Sequence, residues 1–403
     1  MKYLIVIPDG AADFPLETLQ NRTAFEAAKT PNLDAIASEG RQGTVATTPA
    51  GYSAGSDICC MSLLGYNPHR FHPGRAPLEA AAMGLQLREG EWIFRCNLVT
   101  VIDGLMADHS AGHITSAEGA RLLGDFAEHA GRSGLANGLT FHPGISYRNL
   151  MTDASSADYA KLQTTPPHDI PGEPIRKHTP RGGEGAAKLN ALIEASEAFF
   201  AEHEVNVTRR EMNEAPATHI WPWGQGTRPQ IESFESRFGL RGAMITAVDL
   251  LAGLAALLGW DRLEVENITG YHDTNYAGKG RVGAEALDRY DLVCVHVEAP
   301  DEASHQADAK TKVASLESID RWVIGPLMDK LRTFDRWRVL VLPDHYTCVS
   351  TRKHDPTPVP FCMAGAAVPA VGRLPFTEQN AESIGQHIRV GHELMEYFLK
   401  SGL

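Results

Sequence analysis

The side chains that most constrain this chain are split between its two ends. Asp9 and Ser56 lie within the first sixty residues, and Asp301, His305, Asp344, His345 and His354 all follow residue 300. Carboxylates, imidazoles and a hydroxyl act together as metal ligands only when gathered in one place. The segment between them must therefore leave the ligand-bearing sheet and return to it, and an inserted domain is the simplest path that does so. The length of 403 residues agrees, because it exceeds what a single core usually supports.

Each of these residues sits where the pattern predicts an element ending or beginning. MKYLIVIPDG reads as a strand closing on Asp9, and GYSAGSDICCMSLLG puts Ser56 between a glycine-containing loop and a helix start. A serine there gains backbone N–H donors and a dipole that favours an anion. YDLVCVHVEAPDEASH reads as an apolar strand from Leu292 to Val297, followed by Asp301 and His305. Their i,i+4 spacing puts both on one helical face, and one face can hold one ion. WRVLVLPDHYTCVSTRKH reads as a second buried strand, Val339 to Leu342, ending in Asp344 and His345, with His354 nine residues beyond on a loop.

Taken singly, these residues have ordinary explanations. Asp9 terminates a strand, Ser56 and Asp57 cap a helix, and His354 is a surface histidine. Together, three aspartates and three histidines at the ends of three strands, with a serine at a glycine turn, converge outside the carboxyl ends of an open parallel sheet, where such sheets bind ligands. Mixed carboxylate and imidazole ligands suit zinc or manganese better than calcium, which prefers oxygen alone. The set implies phosphoryl chemistry on two divalent metal ions. Manganese is the first expectation, with zinc, cobalt or magnesium as alternatives decided by supply.

The net charge of −13, with no sustained basic stretch, argues against nucleic acid as a partner, since nothing would neutralise its phosphates. A small anionic substrate stays compatible, because local arginine, lysine and metal can oppose the global sign. No apolar run reaches the roughly 20 residues that span a bilayer, so no membrane partner is expected. The N-terminus reads as a core strand, not a signal peptide. Cys59, Cys60, Cys96, Cys294, Cys348 and Cys362 form no CxxC pair and read as reduced, mostly buried thiols of a cytoplasmic protein. A thiol nucleophile at Cys59 or Cys60 is set aside, because the surrounding ligand pattern calls for a hydroxyl. Nothing in the sequence specifies the oligomeric state.

Turn residues cluster in GYNPHRFHPGRAP and again near WPWGQGTRP. These mark the expected boundaries: 1–68 with 226–403 as a metal-binding core, and 69–225 as an inserted substrate-binding domain. Within the insert, LEAAAMGLQL, EWIFRCNLVTVIDG and ITSAEGARLLGDFAEHAG read as helix, strand and helix, with a further helix at GAAKLNALIEASEAFFAEH, which indicates an α/β insert. The apolar stretch from Gly242 to Gly259 reads as a buried helix, since Asp249 and its glycines argue against a membrane span.

The order Asp, Ser, Asp-x-x-x-His, Asp-His, His resembles the alkaline phosphatase superfamily. The fuller text resembles its cofactor-independent phosphoglycerate mutases of the archaeal type, through PDGAADFP, KTPNLDAIASEG, AGSDICCMSLLGYNP, GRAPLEAA, RCNLVT, SAGHI, GISYRNLM, PPHDI, DTNY, HVEAPDEASH and PDH. These words run from Pro8 to His345 in order, and the ligand pattern continues to His354, so the resemblance covers nearly the whole chain. It implies an α/β fold, an alkaline-phosphatase-like core with a mostly parallel central sheet flanked by helices, plus an inserted α/β domain. It also implies interconversion of 2- and 3-phosphoglycerate, a step of glycolysis and gluconeogenesis, through a phosphoserine on two divalent ions. By the family pattern Ser56 is the nucleophile. Asp9, Ser56, Asp344 and His345 surround one ion, and Asp301, His305 and His354 hold the other. The glycerate would stay trapped between the domains while closure of the insert keeps water from the phosphoserine.

A phosphorylated acid carries two anionic ends, and arginine offers planar paired donors to each. The candidates for substrate binding are Arg75, Arg95, Asn97, His113, Arg148, His168 and Asp169 from the insert, and Lys279 from the returning segment. Arg75 between Gly74 and Ala76, and Arg148 at a strand end, are the stronger ones, while Arg95 and Asn97 share one strand face. The chain departs from the family where Asp-Arg-x-Ala-Gly-Arg is expected and DHSAGH stands, with His109 and His113 in place of two arginines. Trp223 replaces an arginine before Gly-x-Gly. Histidine cannot make a bidentate clamp. These changes bear on the substrate and not on the metal chemistry, and resemble a side branch proposed to phosphorylate homoserine. A related phosphotransferase of that kind, or a metal-dependent phosphatase, is therefore the alternative to the mutase.

Overall fold

Strand Lys2–Pro8 is apolar and buried from Tyr3 onward, as a strand covered on both faces must be. It forms the middle of an eight-stranded sheet in the order His387–Ile388, Arg41–Val45, Val359–Gly365, Trp337–Val341, Lys2–Pro8, Leu292–Val297, Gly242–Ile245, Asp261–Arg262. Lys2–Pro8 pairs in parallel with Leu292–Val297, Ile5 opposite Cys294, and with Trp337–Val341, Ile5 opposite Leu340. Only the two pairings that Val359–Gly365 makes are antiparallel. The sheet is thus mostly parallel, and its three central strands run out at one edge, just ahead of Asp9, Asp301 and Asp344. The computed structural model describes residues 1–155 and 157–400, and these fall into two compact units, one from 1–72 with 230–400 and the other within 73–229.

In the first unit the stretch from Gly242 to Gly259 is not one helix. It is strand Gly242–Ile245, a turn, and helix Asp249–Leu257. The first four residues pair with Leu292–Val295 at the sheet, and Asp249 then starts the helix, where an acidic side chain favours the positive end of the dipole. His354 likewise lies in a strand and not a loop. Tyr346–Cys348 and Lys353–Asp355 form an antiparallel hairpin with Thr347 opposite His354.

The second unit is built on a five-stranded antiparallel sheet in which Trp92–Ile102 pairs with Arg148–Asp153, His219–Thr227 and Leu105–Asp108. Phe94, Cys96 and Leu98 face helices Ser116–Arg132 and Gly185–Ala201, packing with Leu122, Phe126, Leu189 and Phe200. Strand alternation then turns Arg95 and Asn97 to the other face. The units divide four residues later at each end than the turn clusters suggest. Pro68–Phe71 forms a short helix whose Phe71 packs on Tyr66, with ring centroids 5.6 Å apart, and this keeps it in the first unit. At the return, strand His219–Thr227 stays paired with Trp92 through Thr227.

Candidate active site

At the edge where the parallel strands end, the chain gathers two groups of ligand-bearing side chains, Asp9 with Asp344 and His345, and Asp301 with His305 and His354. In the first, His345 Nε2 lies 3.3 Å from Asp344 Oδ2 and 3.6 Å from Asp9 Oδ1. In the second, Asp301 lies 3.2 Å from His305 Nε2 and 3.4 Å from His354 Nε2, and those two nitrogens face each other at 3.0 Å. The rings of His345 and His354 stack at 4.0 Å, so the groups adjoin.

Both groups fit a divalent cation. Asp9 Oδ1 is buried with no hydrogen-bond partner, and a buried oxygen left so is costly unless something positive meets it. Burial first, then the Asp344 and Asp301 carboxylates, push the Asp9 carboxyl well above its ordinary range. In the second group, the Asp301 hydrogen bond raises His305 to about 9. Two imidazole nitrogens facing each other across one carboxylate need a shared proton or a metal ion between them.

Ser56 opens helix Ser56–Leu63, and its Oγ lies 3.2 Å from Asp9 Oδ2 and 3.3 Å from His345 Nε2. Of the adjacent thiols, Cys59 is pushed up to about 12 by burial and then by Asp344, and Cys60 is raised well above its usual value for the same reasons. Neither supplies a thiolate. Gly10 sits between the groups with φ +59; a Cβ there would come within 2.4 Å of Thr347 Oγ1 and 2.5 Å of Asp301 Oδ1, which explains the glycine after Asp9.

His296 is a site residue that the sequence reading passes over. It is fully buried, with Nε2 2.9 Å from Asp9 Oδ2 and Nδ1 3.1 Å from Thr246 Oγ1. Burial pushes it down to about 3, so it is neutral. With Asp9 ionised its Oδ2 can only accept, so the one proton of neutral His296 lies on Nε2, and Nδ1 takes the Thr246 hydroxyl proton while Thr246 Oγ1 also accepts from the Val248 N–H. The available signal was a lone histidine inside an apolar strand. Lys279 lies in the same surroundings. It is fully buried in the first unit, its Nζ donates to the His296 carbonyl at 3.0 Å, and burial lowers it to about 8.

The remaining candidates lie in the second unit. The Arg95 guanidinium stacks over the Trp223 ring at 4.2 Å and pairs with Glu79 at 2.8 Å, while its buried Nε has no partner. Trp223 Nε1 donates to Asn97 Oδ1 at 3.0 Å. His168 meets the Trp223 ring edge-on at 5.3 Å and lies 6.1 Å from His109, which lies 5.8 Å from Tyr147. Arg148 covers the Tyr147 ring at 5.3 Å, and His113 approaches it at 6.5 Å from a backbone position with φ +51. Arg75 adjoins Arg95 across Gly224, whose Cβ would lie 3.8 Å from Arg75 Cβ and 3.6 Å from Arg95 Cδ. Asp169 is exposed beside His168, 3.7 Å from its Nε2. Trp223 is therefore not simply a lost charge: it is the platform under Arg95 and the donor that orients Asn97. Glu79 and Tyr147 are further members that the sequence reading does not single out. Only the i,i+4 spacing of Arg75 and Glu79 hints at the first.

A family model described as 2,3-bisphosphoglycerate-independent phosphoglycerate mutase matches residues 37–206. A protein of Methanothrix thermoacetophila with that name is 44% identical over 400 residues, covering 99% of this chain and all of the relative. One of Geobacter sulfurreducens, named a probable enzyme of this kind, is 40% identical over 99% of this chain and 100% of its own length. Among solved structures, a protein of Pyrococcus horikoshii superposes with a TM-score of 0.81 at 26% identity, covering 99% of this chain and 96% of that one. The cofactor-independent phosphoglycerate mutase of Thermoplasma acidophilum superposes with a TM-score of 0.65, also at 26% identity, covering 99% of both chains.

Proposed function

The chain belongs to the 2,3-bisphosphoglycerate-independent phosphoglycerate mutase family, and from that membership we infer that it is an isomerase interconverting 2- and 3-phosphoglycerate, with Ser56 as the phosphoryl carrier. One observation supports Ser56 above the other hydroxyls. It stands at a helix start with its Oγ within 3.3 Å of two ligand side chains of the first group.

Asp9, Asp344 and His345 would hold one divalent ion beside Ser56, and Asp301, His305 and His354 the other. When bound, the two ions supply positive charge for the phosphoryl oxygens and favour loss of the Ser56 proton. Manganese is the ion we assign first, with zinc, cobalt or magnesium as alternatives, since mixed carboxylate and imidazole donors accept these ions according to supply. Ser56 Oγ forms its bond to phosphorus as the bond to the substrate's hydroxyl oxygen breaks; the proton given up by Ser56 balances the one taken up by that oxygen, so the glycerate stays bound as the free alcohol. Transfer back onto the neighbouring hydroxyl of the same glycerate gives the isomer. His296 keeps Asp9 oriented by donating to Oδ2, and the start of helix Ser56–Leu63 favours the anion formed on Ser56. Arg95, held flat on Trp223, together with Arg75 and Arg148, is suited to gripping the glycerate carboxylate. The six cysteines are free and buried, which fits a reducing compartment, and we place the protein in the cytoplasm. No helix among the described residues is long and apolar enough to cross a membrane.

Product analysis tests the reading. With Mn²⁺ and 3-phosphoglycerate, the protein should yield 2-phosphoglycerate, and Ser56→Ala should still bind substrate while forming no covalent phosphoenzyme. Release of free phosphate alone would make it a phosphatase. O-phosphohomoserine formed from homoserine and a phosphoryl donor, without isomerisation of phosphoglycerate, would replace the mutase by the alternative phosphotransferase.

A further inference from the structure

Thr347 belongs to neither ligand group, yet its one hydroxyl touches both. Oγ1 lies 2.5 Å from Asp301 Oδ1 and 3.1 Å from His345 Nδ1. An ionised carboxylate oxygen can only accept, so the hydroxyl proton goes to Asp301. Oγ1 is then left to accept, and the proton it receives is the one on His345 Nδ1. His345 is held in that tautomer, and its Nε2 lone pair faces Ser56 Oγ at 3.3 Å, Asp344 Oδ2 at 3.3 Å and Asp9 Oδ1 at 3.6 Å.

The backbone of Thr347 is held independently of its side chain. Its N–H donates to the Ala12 carbonyl at 3.3 Å, and its own carbonyl accepts from Lys312 Nζ at 2.8 Å. The residue is fully buried, so no bulk water stands by to replace the hydroxyl. The space it occupies exists because residue 10 is a glycine.

We propose that Thr347 is a positioning residue that couples the two groups, its hydroxyl setting the tautomer of His345 and the rotation of the Asp301 carboxylate together, so that the two ions are taken up cooperatively. This rests on reading both groups as metal sites. Hydrogen bonds behind metal ligands typically carry about 10- to 100-fold in affinity, and here one hydroxyl serves two sites.

The test is calorimetric titration of Mn²⁺ into the metal-free full-length protein, with ¹⁵N NMR of His345 as a readout that does not depend on turnover. Thr347→Val, close in shape, should weaken uptake at both sites by about 10- to 100-fold and remove the single Nδ1–H tautomer. Thr347→Ser should restore both. If the valine variant does not fold, Thr347→Ala is measured instead with the same expectation. Weakening of one site only, an unchanged tautomer, or a serine variant no better than valine at equal thermal stability would overturn the coupling. Fewer than two ions bound by the unaltered protein would instead overturn the two-metal reading beneath it.

Discussion

Lys312→Met is the perturbation with the most calculable effect. Lys312 and Asp13 are both buried and lie 3.0 Å apart, and Lys312 Nζ also donates to the carbonyls of Ala12 and Thr347 at 3.3 and 2.8 Å. Methionine fills much of the same volume and removes all three bonds. Breaking a buried ion pair from one side costs about 3–5 kcal/mol, because the remaining charge is left uncompensated. Asp13 keeps backbone donors from Phe14 at 2.8 Å and Val349 at 3.1 Å, which pulls toward the lower end of that range. The two carbonyls lose a donor each, at about 1 kcal/mol or more apiece, which pulls back up. A loss of about 4 kcal/mol is therefore expected in urea unfolding of the full chain, read as a lower midpoint at unchanged slope. The double variant Lys312→Met with Asp13→Leu should recover much of it, since no buried charge remains. A loss below about 1 kcal/mol in the single variant, or a double variant worse than the sum of the singles, would refute the reasoning.

Replacing Asp344 or His305 by alanine should abolish isomerisation and lower bound metal measured by elemental analysis, with the fold retained by circular dichroism; full activity in a metal-free preparation would contradict it. Glu378 is raised from 4.5 to about 7, chiefly by burial. Between those values the folded state keeps a proton that the unfolded state has lost, so stability falls as pH rises through the window. Glu378→Gln should therefore gain on the parent by about 3 kcal/mol from pH 4.5 to 7, and a pH-independent difference in unfolding free energy would exclude it. Trp223→Ala removes the stack under Arg95, worth about 2 kcal/mol when desolvated, and should raise KM for 3-phosphoglycerate by one to two orders of magnitude; an unchanged KM would remove Arg95 from substrate binding. His109→Arg adds a cation between Tyr147 and His168 and should lower the same KM, which steady-state kinetics would show directly.

Local pattern was enough to determine several things about this protein. Continuous apolar runs identify the parallel strands, and Leu292–Val297 has the same bounds in sequence and structure. The glycine before Ser56 marks a helix start, and the i,i+4 spacing of Asp301 and His305 puts them on helix Ala299–His305. The order of ligand residues and glycine words along the chain points to the family. All of these are readable because they rest on short-range periodicity or on residue identity. Tertiary structure alone decides that Gly242–Gly259 breaks into strand and helix, since strand Leu292–Val297 offers its first residues hydrogen bonds that outweigh their helical pattern. It alone stands Thr347 opposite His354, lays Trp223 under Arg95, and buries Lys279 behind His296. His296 and Asp9 are 287 positions apart in the chain, yet Nε2 of one lies 2.9 Å from Oδ2 of the other. Parallel pairing sets that register, and a linear pattern does not specify which buried strands become neighbours.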